Sequence, residues 1–266
     1  MKILYAAAEI SPFAKMTNTA DLLRYLPASL QDKGFEIRIL LPKYGSINDR
    51  RNRLHEVIRL AGIEVNMEGH AESMKIKVAS IPNAKLQVYF LDNDTYFKRK
   101  AMFHDPKNNT FYDDNDARLA FYNKGIMETV KRLGWVPDII HCHDWAGGLV
   151  AALAKSTYKD TPNFARTKVV FHLHSLHNPG TFDSNIYRFL DLPDDFDRSS
   201  IETEGRVDPI RAGLRYADFV VLGNDVRQTE PLATYPDLQV VSERIQGAPT
   251  AISSLFADYY RRITTP

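Results

Sequence analysis

The sequence predicts an α/β fold: a Rossmann-like, doubly wound, mostly parallel sheet with helices on both faces and a small β insertion. Three observations predict it. Short continuous apolar runs, residues 3–8 first among them, suit strands buried on both faces. Segments with helical apolar spacing follow these runs, so strands and helices alternate. The connections at the start are short, which with right-handed crossovers leads to a parallel sheet.

Residues 3–8 form the first expected strand, and Glu9, Ser11 and Pro12 break it. Residues 21–34 follow as a helix with Leu22, Leu23, Leu26 and Leu30 on one stripe, interrupted at Pro27 and ended by Gly34. Residues 35–41 form the second strand and Pro42 stops it. Residues 47–60 are basic and polar and read as surface. Strand character returns at 60–65, 74–81 and 86–91, and the alternation in MKIKVAS predicts one wet face. Residues 92–116 are a long irregular stretch rich in aromatics and charges.

A helix is expected over 114–134, a buried strand over 137–142, and a helix over 146–155 with Gly147 and Gly148 in its first turn. The glycines carry no Walker or GxGxxG pattern. A strand at 167–173 ends at His174, followed by a glycine-containing loop at 178–182 and short elements at 184–192 and 193–196. A helix at 209–217, a strand at 219–222, a helix starting at Asn224 and a last helix over 252–263 complete the pattern. One domain over residues 1–266 accommodates them, with the last helix packed back on it.

Composition narrows the function classes. Net charge is +1, so no nucleic-acid or membrane partner is expected. The single cysteine, Cys142, excludes an internal disulfide and fits a reducing compartment, which makes the cytoplasm the expected location. No apolar run approaches the roughly 20 residues of a spanning helix.

The strand-to-helix corner at 8–21 is where α/β proteins place phosphates, because the first helical N–H groups are unpaired. Lys15 could meet such a phosphate or stay a solvated loop lysine. Asp144 and Trp145 follow a strand's carboxyl end, where open α/β sheets bind ligands, though Asp144 could equally cap the next helix and Trp145 could be core. His172 and His174 point to one face of their strand, with His141, His143 and His177 near in sequence. A zinc site lacks the Cys or carboxylate spacing such sites use, so none is expected.

Several stretches together resemble bacterial glycogen synthases and plant starch synthases. They are AAAEISPFAK with IRILLPKYG, LDNDTYFKR, the run ending in IIHCHDW, KVVFHLHSLHNPGTF, and DPIRAGLRYADFVVL, spread over residues 1–222. The resemblance implies the N-terminal half of a GT-B fold, the acceptor-side domain of a retaining ADP-glucose:α-1,4-glucan glucosyltransferase that uses no metal or cofactor. It implies a donor loop at Lys15, Thr17, Asn18 and Asp21, a sugar-contacting His174, and acceptor contacts from Asp144, Trp145, Phe97 and Arg99. The family's loop reads Lys-x-Gly-Gly; Thr17 and Asn18 stand where its glycines would be. With both glycines replaced and no C-terminal donor-binding domain expected, the chain is expected to be inactive alone. It would be half of a split enzyme completed by a partner chain, or a non-catalytic module binding α-glucan or maltooligosaccharide.

Overall fold

The computed structural model describes residues 1–82, 84, 86–105, 107–176, 180–223, 226, 240–241 and 249–264. In chain order, β1 (Lys2–Ala6) leads through α1 (Thr19–Gln31) to β2 (Glu36–Pro42). An insertion of β3 (His55–Glu56), β4 (Ile63–Met67) and β5 (His70–Ser80) precedes β6 (Gln87–Asp92) and the short α2 (Asp94–Phe97). Then come α3 (Asn115–Arg132), β7 (Ile139–His143), α4 (Gly148–Lys155), β8 (Lys168–Leu173) and α5 (Tyr187–Leu190). The two-residue pair β9 (Glu202–Thr203) and β10 (Arg206–Val207), α6 (Pro209–Tyr216), β11 (Phe219–Leu222), β12 (Val240–Val241) and α7 (Pro249–Thr264) complete the chain.

The sheet runs β12–β11–β8–β7–β1–β2–β6–β5–β3, with β4 also paired to β5. All pairs from β12 to β6 are parallel, and β5 is antiparallel to its neighbours. The chain therefore winds outward from β1 in one direction, returns, and winds outward in the other from β7. The switch point lies between β1 and β7, and ligands of open α/β sheets bind outside the carboxyl ends of strands there. The core strands have almost no exposed side chain, as expected of a sheet covered on both faces: β1 is buried from Ile3 to Ala6 and all of β7 is buried.

The helices follow their apolar stripes. In α1, Leu23, Leu26 and Leu30 are buried, Pro27 is tolerated inside the helix, and Gly34 takes a left-handed φ of 87° just beyond its end. Gly148 is required by packing: a Cβ there would lie 1.9 Å from the Pro209 carbonyl oxygen, so α4 and α6 meet with no side chain between them. The β4–β5 hairpin turns on Glu68 and Gly69, both at positive φ, as a tight two-residue turn demands. The insertion is tied to the body by Lys124 on α3. Its buried ammonium donates to the Phe189 carbonyl at 2.8 Å, to Asp191 at 2.5 Å and to the Asn66 carbonyl.

Three expectations change. Residues 47–60 are not wholly surface, because Ile47 and Leu60 are buried. Residues 193–196 form only a turn. The long stretch 92–116 contains α2, capped by the Asn93 side chain accepting from the Tyr96 amide. The helix expected from Asn224 and part of the 178–182 loop lie outside the described residues. The last helix does pack back on the domain, against α1. Among the described residues, no helix is long and apolar enough to cross a membrane.

Candidate functional site

A cleft of about 680 Å³ opens at the switch point. Its walls come from the loop after β1 (Glu9, Thr17, Asn18), from the ends of β7 and β8 (His143, Asp144, Trp145, His172, His174), and from Phe103 and Ile252. The first wall is a loop and the second is the edge of the sheet itself.

In the loop, Glu9 organises the backbone. Its carboxylate accepts from the Met16 amide at 2.5 Å, from the Thr17 amide at 2.8 Å and from the Thr17 hydroxyl. The side chain is only 5% exposed, so these are the contacts that make its burial tolerable. Asn18 sits at φ −70°, and Thr17 has no positive φ either, so the loop makes no use of the freedom that glycines would supply. Lys15 turns away to pair with Asp21 at 2.5 Å, and Asp21 also accepts from the Ser11 hydroxyl. Those two contacts, Lys15 first, lower the Asp21 pKa. Lys15 and Asp21 thus sit beside the cleft, while Thr17 and Asn18 line it.

The strand-end wall is held differently. Asp144, at the tip of β7, donates its amide to the His172 carbonyl and accepts the His174 amide on its carboxylate, both at 2.8 Å. It therefore clamps the ends of β7 and β8 together. Its side chain makes no helix cap. Its φ of 53° is a left-handed value that an ordinary residue adopts only under constraint. Desolvation raises its pKa to about 7, and the nearby Glu9 charge pushes the same way.

Behind Asp144 four imidazoles share one face. His143 Nδ1 lies 2.9 Å from His174 Nε2, and the rings of His172 and His174 stack at 3.7 Å. His141 Nδ1 lies 2.5 Å from the Tyr260 hydroxyl, which in turn meets the Tyr5 hydroxyl at 2.7 Å. Burial lowers all four histidine pKa values, that of His174 to about 3. At neutral pH the rings are uncharged, able to donate one hydrogen bond and to offer one lone pair.

Trp145 is nearly buried against Phe103, with centroids 4.1 Å apart, and it also lines the cleft. Phe97 lies in the core against Phe121, and Arg99 pairs with Asp114 and stacks over Tyr112. Neither belongs to the cleft wall. Sequence reasoning missed Glu9 as a loop organiser, treating it only as a strand breaker. It also missed Tyr260 and Ile252 from α7, for which the sequence holds no local signal. The alternation of His141 and His143 could have placed both on one face.

The fold is shared with the catalytic domain of starch synthase IV from Arabidopsis thaliana bound to ADP and acarbose, with a TM-score of 0.68 and 24% identity over 83% of this chain and 44% of that one. The class is a Rossmann-like lobe of the GT-B type, with its crevice at the topological switch point. The sequence profile of the starch synthase catalytic domain matches residues 2–224, and the chain belongs to that family. Glycogen synthases from Chlorobaculum tepidum and Chlorobium limicola are 42% and 40% identical to it over 237 and 219 residues. Those matches cover 89% and 82% of this chain but 48% and 45% of the relatives. The chain spans about half the length of the curated relatives it matches.

Proposed function

We propose that this chain provides the acceptor-side wall of an α-glucan cleft and does not by itself transfer glucose from ADP-glucose. The observation that carries this reading is the Glu9 carboxylate seated on the Met16 and Thr17 amides. A donor loop would offer such N–H groups to a diphosphate. Here an anion already holds them, and its charge opposes a second one. Glucosyl transfer also depends on groups held around the leaving diphosphate, and the loop lysine, Lys15, is paired with Asp21.

On this reading Asp144, Trp145 and His174 remain as sugar-facing groups. The same observation favours a non-catalytic glucan-binding role over half of a split enzyme, since a partner lobe would still meet Glu9 on the loop amides. Calorimetry with maltooligosaccharides and with ADP-glucose, alongside a glycogen-elongation assay, tests it. Binding of the oligosaccharide without ADP-glucose binding or turnover is the expected result. Measurable elongation by the purified chain overturns the reading.

A further inference from the structure

We propose that the imidazoles of His141, His143 and His172 form a binding site for one divalent transition-metal ion of the zinc class. The sheet brings them together. His141 and His143 are two residues apart on β7, so both side chains leave the same face. His172 is the register partner of His143 on the adjacent strand β8 and lies beside it. One ring nitrogen from each of the three lies within 4.8 Å of the others. An ion centred in a triangle of that size would stand roughly 2.8 Å from each nitrogen. Ring movements of less than about 1 Å would bring it to the roughly 2.0–2.1 Å of a zinc–imidazole bond.

The hydrogen bonding around the rings points to the same occupant. His141 and His143 are each held by Nδ1, the first by the Tyr260 hydroxyl and the second by His174 Nε2. The Nε2 atoms of both, and both nitrogens of His172, are buried and meet no partner among the described residues. His141 and His143 have the arrangement of a metal-bound imidazole, with the outer nitrogen fixed by a neighbour and the inner one left for the ion, while His172 offers either nitrogen. Three neutral rings with nothing between them would instead keep four buried nitrogens desolvated and unbonded, an arrangement native interiors rarely retain.

A set of three nitrogens favours zinc, cobalt, nickel or copper over magnesium or calcium, which take oxygen ligands. His143 and His172 line the cleft and His141 lies behind them, so the ion has a way in. The site stands on these rings alone and does not depend on the glucan reading.

The test uses the full chain, stripped by chelator and titrated with zinc against a chromophoric competitor, followed by X-ray absorption at the zinc edge. One zinc per chain is expected, with three imidazoles at about 2.0–2.1 Å. His172→Val, a β-branched replacement suited to a buried strand, is expected to weaken binding by at least about 100-fold, because it deletes a ligand rather than an outer-shell partner. Tyr260→Phe removes only the outer hydroxyl and is expected to weaken binding about 10- to 100-fold. Folded wild-type protein that takes up no zinc overturns the proposal, as does an absorption spectrum lacking three imidazoles. Unchanged affinity in a folded His172→Val variant also overturns it. If that variant does not fold, the wild-type absorption spectrum decides.

Discussion

The two walls of the cleft face the same solvent and are held by opposite means. The strand-end wall is over-determined: Asp144 bridges two strands, and the rings of His141, His143 and His172 beside it are buried. The loop wall depends on one carboxylate, Glu9, collecting two amides and a hydroxyl. A wall made of sheet resists substitution through packing. A wall made of loop can be refitted by changing a few side chains, and Thr17 and Asn18 lie on that wall.

The largest expected difference between the walls appears on acidification. In the unfolded chain His141, His143, His172 and His174 titrate near 6.5, whereas the fold keeps them neutral to lower pH. The unfolded chain therefore binds more protons below about pH 6.5, and stability falls as pH drops through that range. Asp144 acts in the opposite sense. With its folded pKa near 7, the native chain keeps a proton that the unfolded chain releases above about pH 4. The net excess in the unfolded state reaches about three protons, a slope on the order of 4 kcal/mol per pH unit at its steepest. Urea denaturation at pH 7.5 and 5.5 measures it, and equal stabilities would contradict the neutral-histidine wall. Asp144→Asn removes the opposing proton and should steepen the loss.

Next in size is Phe171→Ala on β8, whose ring fills the space against Gly213 and is fully buried. It should cost about 3–5 kcal/mol in the same denaturation assay. On the loop wall, Glu9→Gln removes a charged acceptor from two amides and should cost about 1–3 kcal/mol. A loss as large as that of Phe171→Ala would show that the loop is as deeply integrated as the sheet. The smallest effect, about 1 kcal/mol, is expected at Thr17→Gly, which deletes one donor to Glu9 and frees a backbone that needs no positive φ there. A larger loss would mean that the Thr17 hydroxyl on Glu9 matters more than the amides.

The same contrast explains what the sequence disclosed. Elements of the sheet wall were legible because a buried parallel strand writes itself as an unbroken apolar run, and helices such as α3 as a 3.6-residue stripe. The insertion was legible from its alternation. Ile47 and Leu60 are buried although the residues around them are polar and charged, so local composition hides them. Loop chemistry was not legible, since nothing local tells that Glu9 turns back on amides seven and eight positions later. The histidine face depends on the β7–β8 register, and the Tyr260 contact to His141 spans 119 positions. Phe97 and Arg99, named from motif position alone, sit among core rings and in an ion pair.

Lys124 has a consequence for the order of assembly. Its three acceptors come from Asn66, Phe189 and Asp191, so one ammonium fastens segments that emerge from the ribosome far apart in time. Until the turn at 189–191 is made, the hairpin of the insertion lacks its anchor and Lys124 has no complete shell. Long-range closure of this kind slows folding. Pulse-labelled hydrogen exchange should accordingly show β4 and β5 gaining protection late, together with α5 and after β1 and β2.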